Sequence, residues 1–131
     1  MAAAESYPDG LKYHREHDWA RIDGDEATLG VTWYAQDSLG ELVHYEPPSV
    51  GDTVSVDASY GEVESVKAVS DLIAPLSGEV LEVNQAVIDA PETVNEDPYG
   101  AGWLIRVRLS DHGEVDALLE AADYREFLAT Q

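Results

Sequence analysis

The side chain best placed to do chemistry is Lys67. It lies in Glu62-Val63-Glu64-Ser65-Val66-Lys67-Ala68-Val69-Ser70-Asp71, which runs on through Leu72-Ile73-Ala74-Pro75-Leu76-Ser77-Gly78-Glu79-Val80. The chain has only two lysines, Lys12 and Lys67. Between Asp57 and Glu82, Lys67 is the one base among six acids: Asp57, Glu62, Glu64, Asp71, Glu79 and Glu82. An amide on the ε-amine would remove its charge and add the chemistry of the acyl group. A solvated lysine balanced by nearby carboxylates is the ordinary alternative, and composition leaves both open. Other candidates are thinner. The pairs Glu62/Glu64 and Asp23/Asp25 share strand faces and could form a carboxylate pair, but outward strand carboxylates are ordinarily solvated. No nucleophile–base signature or phosphate loop accompanies them. His14, His17, His44 and His112 do not have the spacing of a three- or four-ligand metal set. With no cysteines, disulfides, thiolate metal sites and cysteine nucleophiles are excluded.

The elements that must position Lys67 are two short β-type runs joined by a tight bend. Ala74-Pro75 and Ser77-Gly78 punctuate the chain after them. Upstream, Pro8-Asp9-Gly10 is a turn signal that closes a flexible tail over residues 1–10. Leu11-Lys12-Tyr13 reads as a short strand. Trp19 to Ile22 and Ala27 to Val31 form a hairpin around Asp23-Gly24-Asp25. Thr32 caps a short helix over Trp33 to Ser38, and Gly40 ends it. Glu41 to Glu46, Thr53 to Asp57, Glu79 to Val83 and Trp103 to Leu109 read as further strands. In the last of these Ile105, Val107 and Leu109 share one face, with Arg106 and Arg108 on the other. The stretch from Gln85 to Asp97 carries proline and asparagine breaks and reads as loop with at most one helical turn. Asp111 and Glu114 have the spacing of a capping box ahead of a helix over Val115 to Leu119. Tyr124, Phe127 and Leu128 form an apolar stripe on a second helix over 121–129. The expected fold is mainly β with short α-helices: a β-sandwich or flattened barrel over residues 11–131, with C-terminal helices at about 112–129.

Four separated blocks, in order and spread over nearly the whole chain, resemble the glycine cleavage system H protein family. Tyr13 through Trp19 is similar to the family's opening stretch. Gly30-Val31-Thr32, Tyr34-Ala35-Gln36 and Leu39-Gly40-Glu41 resemble its second block. Glu64-Ser65-Val66-Lys67-Ala68, Ser70-Asp71 and Ala74 to Val80 resemble its lipoyl-lysine segment. Asn95-Glu96-Asp97-Pro98-Tyr99-Gly100-Ala101-Gly102-Trp103-Leu104 resembles its last block. The resemblance implies the flattened barrel of lipoyl and biotinyl domains, here of hybrid-motif type. It also implies lipoate joined by an amide to Lys67, so that the chain is a non-catalytic monomeric carrier. Its implied partners are a pyridoxal-phosphate glycine decarboxylase, an aminomethyltransferase, dihydrolipoyl dehydrogenase and the lipoylating enzymes. Glu64 and Gly78 match positions of the lipoylation-recognition pattern. His17, Asp18, Trp19 and Asp71 match positions near the cleft that shelters the loaded arm from water. Asp18 departs from the family, which has glutamate there, and Glu16 stands where a small polar residue is frequent. Related alternatives are a lipoyl relay or adaptor paralogue, or the lipoyl domain of another multienzyme complex. Biotinyl domains flank their lysine with methionines, whereas Val66 and Ala68 do so here.

At 131 residues, with 44% apolar composition, the chain holds one domain with a core of its own. A net charge of −20 argues against nucleic acid and anionic membranes, both of which call for clustered Lys and Arg. It permits steering toward basic patches on partner proteins. Met1-Ala2-Ala3-Ala4-Glu5-Ser6 has neither the basic start and apolar run of a secretory signal nor the arginines of a transit peptide. The expected location is the bacterial cytoplasm, or the mitochondrial matrix for a processed eukaryotic chain. The lack of cysteine would suit a dithiolane carrier, because exchange requires a competing thiolate.

Overall fold

The computed structural model describes residues 3–131. Two antiparallel sheets face each other. The larger contains β1 (Lys12–Tyr13), β2 (Asp18–Asp23), β3 (Glu26–Val31), β5 (Thr53–Val54), β8 (Gly78–Val83) and β9 (Ile105–Leu109), in the order β1-β2-β3-β9-β8-β5. The smaller contains β4 (Leu42–Glu46), β6 (Ser59–Ser65) and β7 (Val69–Ile73), in the order β4-β6-β7. Alternation along the strands decides which side chains go inside. Ala27 and Leu29 of β3, Val80 of β8, and Ile105 and Val107 of β9 meet Tyr45 of β4, Val63 of β6 and Leu72 of β7 in one core. Arg106 and Arg108 point outward, to Glu26 and Glu82 and to Glu79 respectively. This is the flattened barrel of lipoyl-type domains.

A second apolar cluster lies beyond β1. Tyr7, Leu11, Tyr13, Trp19, Tyr99, Ala121 and Tyr124 pack together, with Tyr13 and Tyr124 stacked at 4.8 Å between ring centroids. Tyr124 belongs to α4 (Ala121–Leu128), whose stripe covers this edge of the barrel as expected. The segment expected to be a loose tail has neither helix nor strand over residues 3–10, yet it is anchored. Tyr7 is buried, Trp33 Nε1 donates to Ala3 O, and Tyr99 Oη donates to Ser6 O. Met1 and Ala2 of that tail lie outside the described residues.

Three local expectations are corrected. The strand expected over Thr53 to Asp57 stops at Val54, because Val56 N–H donates to Ser77 Oγ and Asp57 adopts a φ of 68°. The expected loop from Gln85 to Asp97 instead contains α2 (Gln85–Asp89) and α3 (Thr93–Glu96). The Asn84 side chain caps α2 by accepting from Ala86 N–H, and Val87 and Val94 bury one residue of each helix. The helix expected from Val115 is a 3-10 turn over His112–Ala117. Glu114 does not close a capping box, because its carboxylate accepts from Ser77 N–H and Ser77 Oγ.

Candidate functional site

β6 and β7 form a hairpin in the register Glu62↔Asp71, Val63↔Ser70 and Glu64↔Val69, closed by Ser65 N–H to Ala68 O at 2.8 Å. Val66 and Lys67 are the two residues at its tip. Two-residue hairpin loops usually rely on positive φ. Neither tip residue has it, since His17 and Asp57 are the non-glycine cases among the described residues. The buried Ser65 takes over that task. Its Oγ accepts from Lys67 N–H at 3.3 Å and from Ala68 N–H at 3.1 Å, so a side chain closes the loop. The Lys67 backbone is thereby fixed while its side chain remains exposed. Ser65→Ala would leave two amides without this acceptor. It is expected to cost about 1 kcal/mol of local stability and to raise amide exchange at Lys67 and Ala68 without lowering global stability by more. Unchanged exchange at both amides would show that water replaces the hydroxyl fully.

The Lys67 ammonium stands apart from the other bases. Lys12 pairs with Glu120, and Arg106 and Arg108 pair with glutamates. Arg21 donates to Tyr99 O and Arg125 to Tyr7 O, while Arg15 lies over the Phe127 ring. Among the described residues, Lys67 Nζ has no ion pair or hydrogen bond. Its stem passes over the end of α1 (Trp33–Leu39). A Cβ built on Gly40 would lie 3.6 Å from Lys67 Cε. Gly40 ends α1 with a φ of 84°, donating to Gln36 O. The exposed valines Val66 and Val69 flank the lysine at 77% and 61% exposure. Behind them the outer face of the smaller sheet carries Glu46, Glu62 and Asp71 in one cross-strand row, with His44, Glu64 and Val69 in the next.

The other expected site residues separate into surface and interior. Glu64 and Asp71 are exposed on the same hairpin as Lys67. Gly78 is buried at the start of β8 between Val54 and Leu109. His17 has a φ of 75°, and its Nδ1 lies 2.8 Å from Tyr124 Oη, with Tyr34 against its ring. Burial lowers its pKa. Trp19 is fully buried: its indole Nε1 donates to Pro98 O, and its ring lies where a Gly30 Cβ would be. Asp18 is 2% exposed and sits between the sheets. Its carboxyl accepts from Tyr60 Oη at 3.4 Å and from the Ile73 backbone. Burial is the largest influence and pushes its pKa well above the usual carboxylate range, against the lowering by those two hydrogen bonds. The hairpin thus brings Lys67, Glu64 and Asp71 together, while His17, Asp18, Trp19 and Gly78 build the frame behind it. Sequence reasoning passed over Ser65, Gly40 and Asn95. The serine's place two residues before the lysine was the available signal for Ser65, because serine closes turns through its hydroxyl.

The burial of Asp18 has a testable pH signature. A carboxyl with a raised folded-state pKa gives stability that is present below its unfolded pKa, about 3.9. That stability is lost as pH rises toward the folded value, because the folded state holds the proton longer. Asp18→Asn keeps the shape and removes the ionisation. The variant is expected to gain stability relative to the parent as pH rises from 4 to 8, measured by urea unfolding across that range. A constant difference between the two proteins would show that Asp18 is ionised in the fold.

A flattened two-sheet barrel presenting an exposed lysine at a hairpin tip is the arrangement of lipoyl- and biotinyl-type domains. Comparison with known proteins narrows the class. The profile of the family described as "Glycine cleavage H-protein" matches residues 11–131. The chain is 54% identical over 121 residues to the glycine cleavage system H protein of Carboxydothermus hydrogenoformans, covering 92% of this chain and 93% of that one. It is 51% identical over 124 residues to the protein of that name from an Anaeromyxobacter species, covering 95% and 97% of the two chains. A crystal structure of a glycine cleavage system H protein from Mycobacterium marinum superposes with a TM-score of 0.86 at 44% identity, covering 93% of this chain and 98% of that one. The chain belongs to the glycine cleavage H-protein family. No helix among the described residues is long and apolar enough to cross a membrane.

Proposed function

We propose that Lys67 Nζ carries lipoate through an amide and that the chain is the mobile-arm carrier of glycine cleavage. The observation that carries this reading is the ammonium of Lys67, which is without a partner among the described residues while its backbone is held by Ser65. The residues fit the group. The lysine is exposed, its stem passes beside Gly40, and no cysteine in the chain can exchange with a dithiolane. Bound there, lipoate would supply a disulfide that takes the aminomethyl group at glycine decarboxylase, yields it at aminomethyltransferase and is reoxidised by dihydrolipoyl dehydrogenase. The chain's own contribution is tethering. A fixed Cα with a free side chain limits where the arm starts and raises its local concentration at each partner site. Bond-making belongs to the partner enzymes and their cofactors.

Glu64 offers a carboxylate beside the tip to a basic docking site on the lipoylating enzyme. Gly78 shapes the sheet that supports the hairpin. Asp71, exposed on β7, is the carboxylate placed to pair with the protonated amine of a loaded arm. Asp18 and Trp19 act from the interior by holding the wall of the barrel, and His17 by holding α1 against α4. Asp71→Ala is expected to leave lipoylation intact and shorten the lifetime of the loaded arm several-fold. Loaded protein followed by mass spectrometry gives that lifetime, and an unchanged value would remove Asp71 from the role.

The cytoplasm, or the matrix for a processed organellar chain, is where those partners would be met. Reconstitution tests the whole reading. Lipoylated chain mixed with the three partner enzymes, glycine, tetrahydrofolate and NAD should support continuous NADH formation, and unmodified chain should not. Lipoylation without that turnover would favour a relay or adaptor role.

A further inference from the structure

The residues that hold Lys67 in place trace back to a side chain outside the hairpin. The side chain of Asn95, on α3, makes three hydrogen bonds, all to the segment beside which Lys67 lies. Its Nδ2 donates to Gly40 O at 2.9 Å and to Gln36 Oε1 at 3.0 Å, and its Oδ1 accepts from Leu42 N–H at 2.9 Å. Each bond leads to the lysine by a short route. Lys67 Cε lies beside Gly40, 3.6 Å from where a Cβ on that residue would be, so Gly40 forms the floor on the near side of the lysine stem. The buried Gln36 supplies the carbonyl that caps Gly40 N–H, so fixing Gln36 fixes that floor a second time. Leu42 pairs with Ser65, the residue whose hydroxyl closes the Lys67 loop. Beyond Leu42 the β4–β6 register shifts at Val43, so Leu42↔Ser65 is separated by a bulge from the rest of the ladder and depends on support from outside it.

We propose that Asn95 is a positioning residue for Lys67, clamping the Gly40 floor through its amide nitrogen and the Leu42–Ser65 pair through its amide oxygen. The proposal rests on the reading of Lys67 as the acylated lysine. An acceptor lysine must be presented in one geometry to a lipoylating enzyme. When only a fraction of the protein has that geometry, the apparent affinity falls by that fraction while turnover at saturation is kept. Loss of the clamp therefore raises KM rather than lowering kcat.

The test compares Asn95→Ala, Asn95→Asp and Asn84→Ala in the full chain. Asn84 is the matched control. Its side chain also makes three hydrogen bonds, to Ala101 O, Trp103 O and Ala86 N–H, and none of them goes to Gln36, Gly40 or Leu42. The first readout is the NMR contact between Lys67 Hε and Gly40 Hα in unmodified protein, with amide exchange at Leu42. The second is KM and kcat for the chain with a lipoate–protein ligase, lipoate and ATP. Asn95→Ala is expected to lose the contact, to exchange faster at Leu42 by about fivefold, and to raise KM by a similar factor at unchanged kcat. Asn95→Asp keeps an acceptor for Leu42 but no donors. It should retain Leu42 protection and still lose the Lys67–Gly40 contact. Asn84→Ala should lose global stability yet keep both the contact and the parental KM.

Retention of the contact and KM in Asn95→Ala would overturn the proposal, as would an equal rise of KM in Asn84→Ala. If Asn95→Ala does not fold, Asn95→Asp decides, and a retained contact in it overturns the proposal. If the parent chain is not lipoylated at all, the carrier reading fails by itself. The contact and the exchange then still decide whether Asn95 positions Lys67.

Discussion

Lys67→Arg is expected to abolish lipoylation and all carrier activity while leaving the fold unchanged. A guanidinium keeps the positive charge, but it is not a usable nucleophile because it does not lose its proton in proteins. The side chain is exposed and its ammonium has no partner among the described residues, so its replacement removes no folded-state ion pair. Thermal and urea midpoints should therefore match the parent within about 0.5 kcal/mol. Activity in the reconstituted system should fall to the blank. Lys12→Arg is the companion measurement. Lys12 is tied to Glu120, and its replacement should leave lipoylation at the parental level. Lipoate found on the Lys67→Arg protein would move the attachment site to Lys12.

The second large effect is on the frame. A Cβ on Gly78 would lie 2.3 Å from Arg108 O and 3.3 Å from Val107 Cβ. The nearer neighbour is backbone of the adjacent strand, which cannot rotate away as a side chain can. β8 would have to separate from β9 over the pair Gly78↔Leu109. Gly78→Ala is expected to cost about 3 kcal/mol, a fall in Tm on the order of 10 °C for a domain of this size. This also separates two roles for the same glycine. If Gly78 acts through the fold, lipoylation of Gly78→Ala should decline only with its folded fraction. If the variant melts like the parent yet resists the ligase, Gly78 is read directly by that enzyme.

The site was legible in the sequence where local chemistry dictates structure. Apolar runs on both sides of Lys67 and a bend between them are enough to place a lysine on a hairpin, and the structure has that hairpin. The stripe Tyr124, Phe127 and Leu128 likewise gave α4, because a helix shows its buried face at three- and four-residue spacing. What escaped was set by residues distant in the chain. Asp18 reads as an ordinary acid before a strand. Its burial depends on Tyr60, 42 residues later, and on the edge of β7. Glu114 has the spacing of a capping box, but Ser77, 37 residues earlier, takes its carboxylate. α2 and α3 are too short to show a period and lie on either side of Pro91. They form because Val87 and Val94 bury against the barrel, a tertiary gain outweighing weak local preference. Asn95 opens the stretch Asn95 to Leu104, yet no local rule shows that its amide spans Gly40 and Leu42.

The central claim is that Lys67 carries an acyl arm. The direct measurement is the intact mass of natively produced protein, with peptide mapping of both lysines after incubation with ligase, lipoate and ATP. The expected result is one lipoyl increment, on Lys67 and not on Lys12, with net charge moving from −20 by one further negative unit as the amine becomes an amide. A chain that remains at its unmodified mass after that incubation would contradict the account.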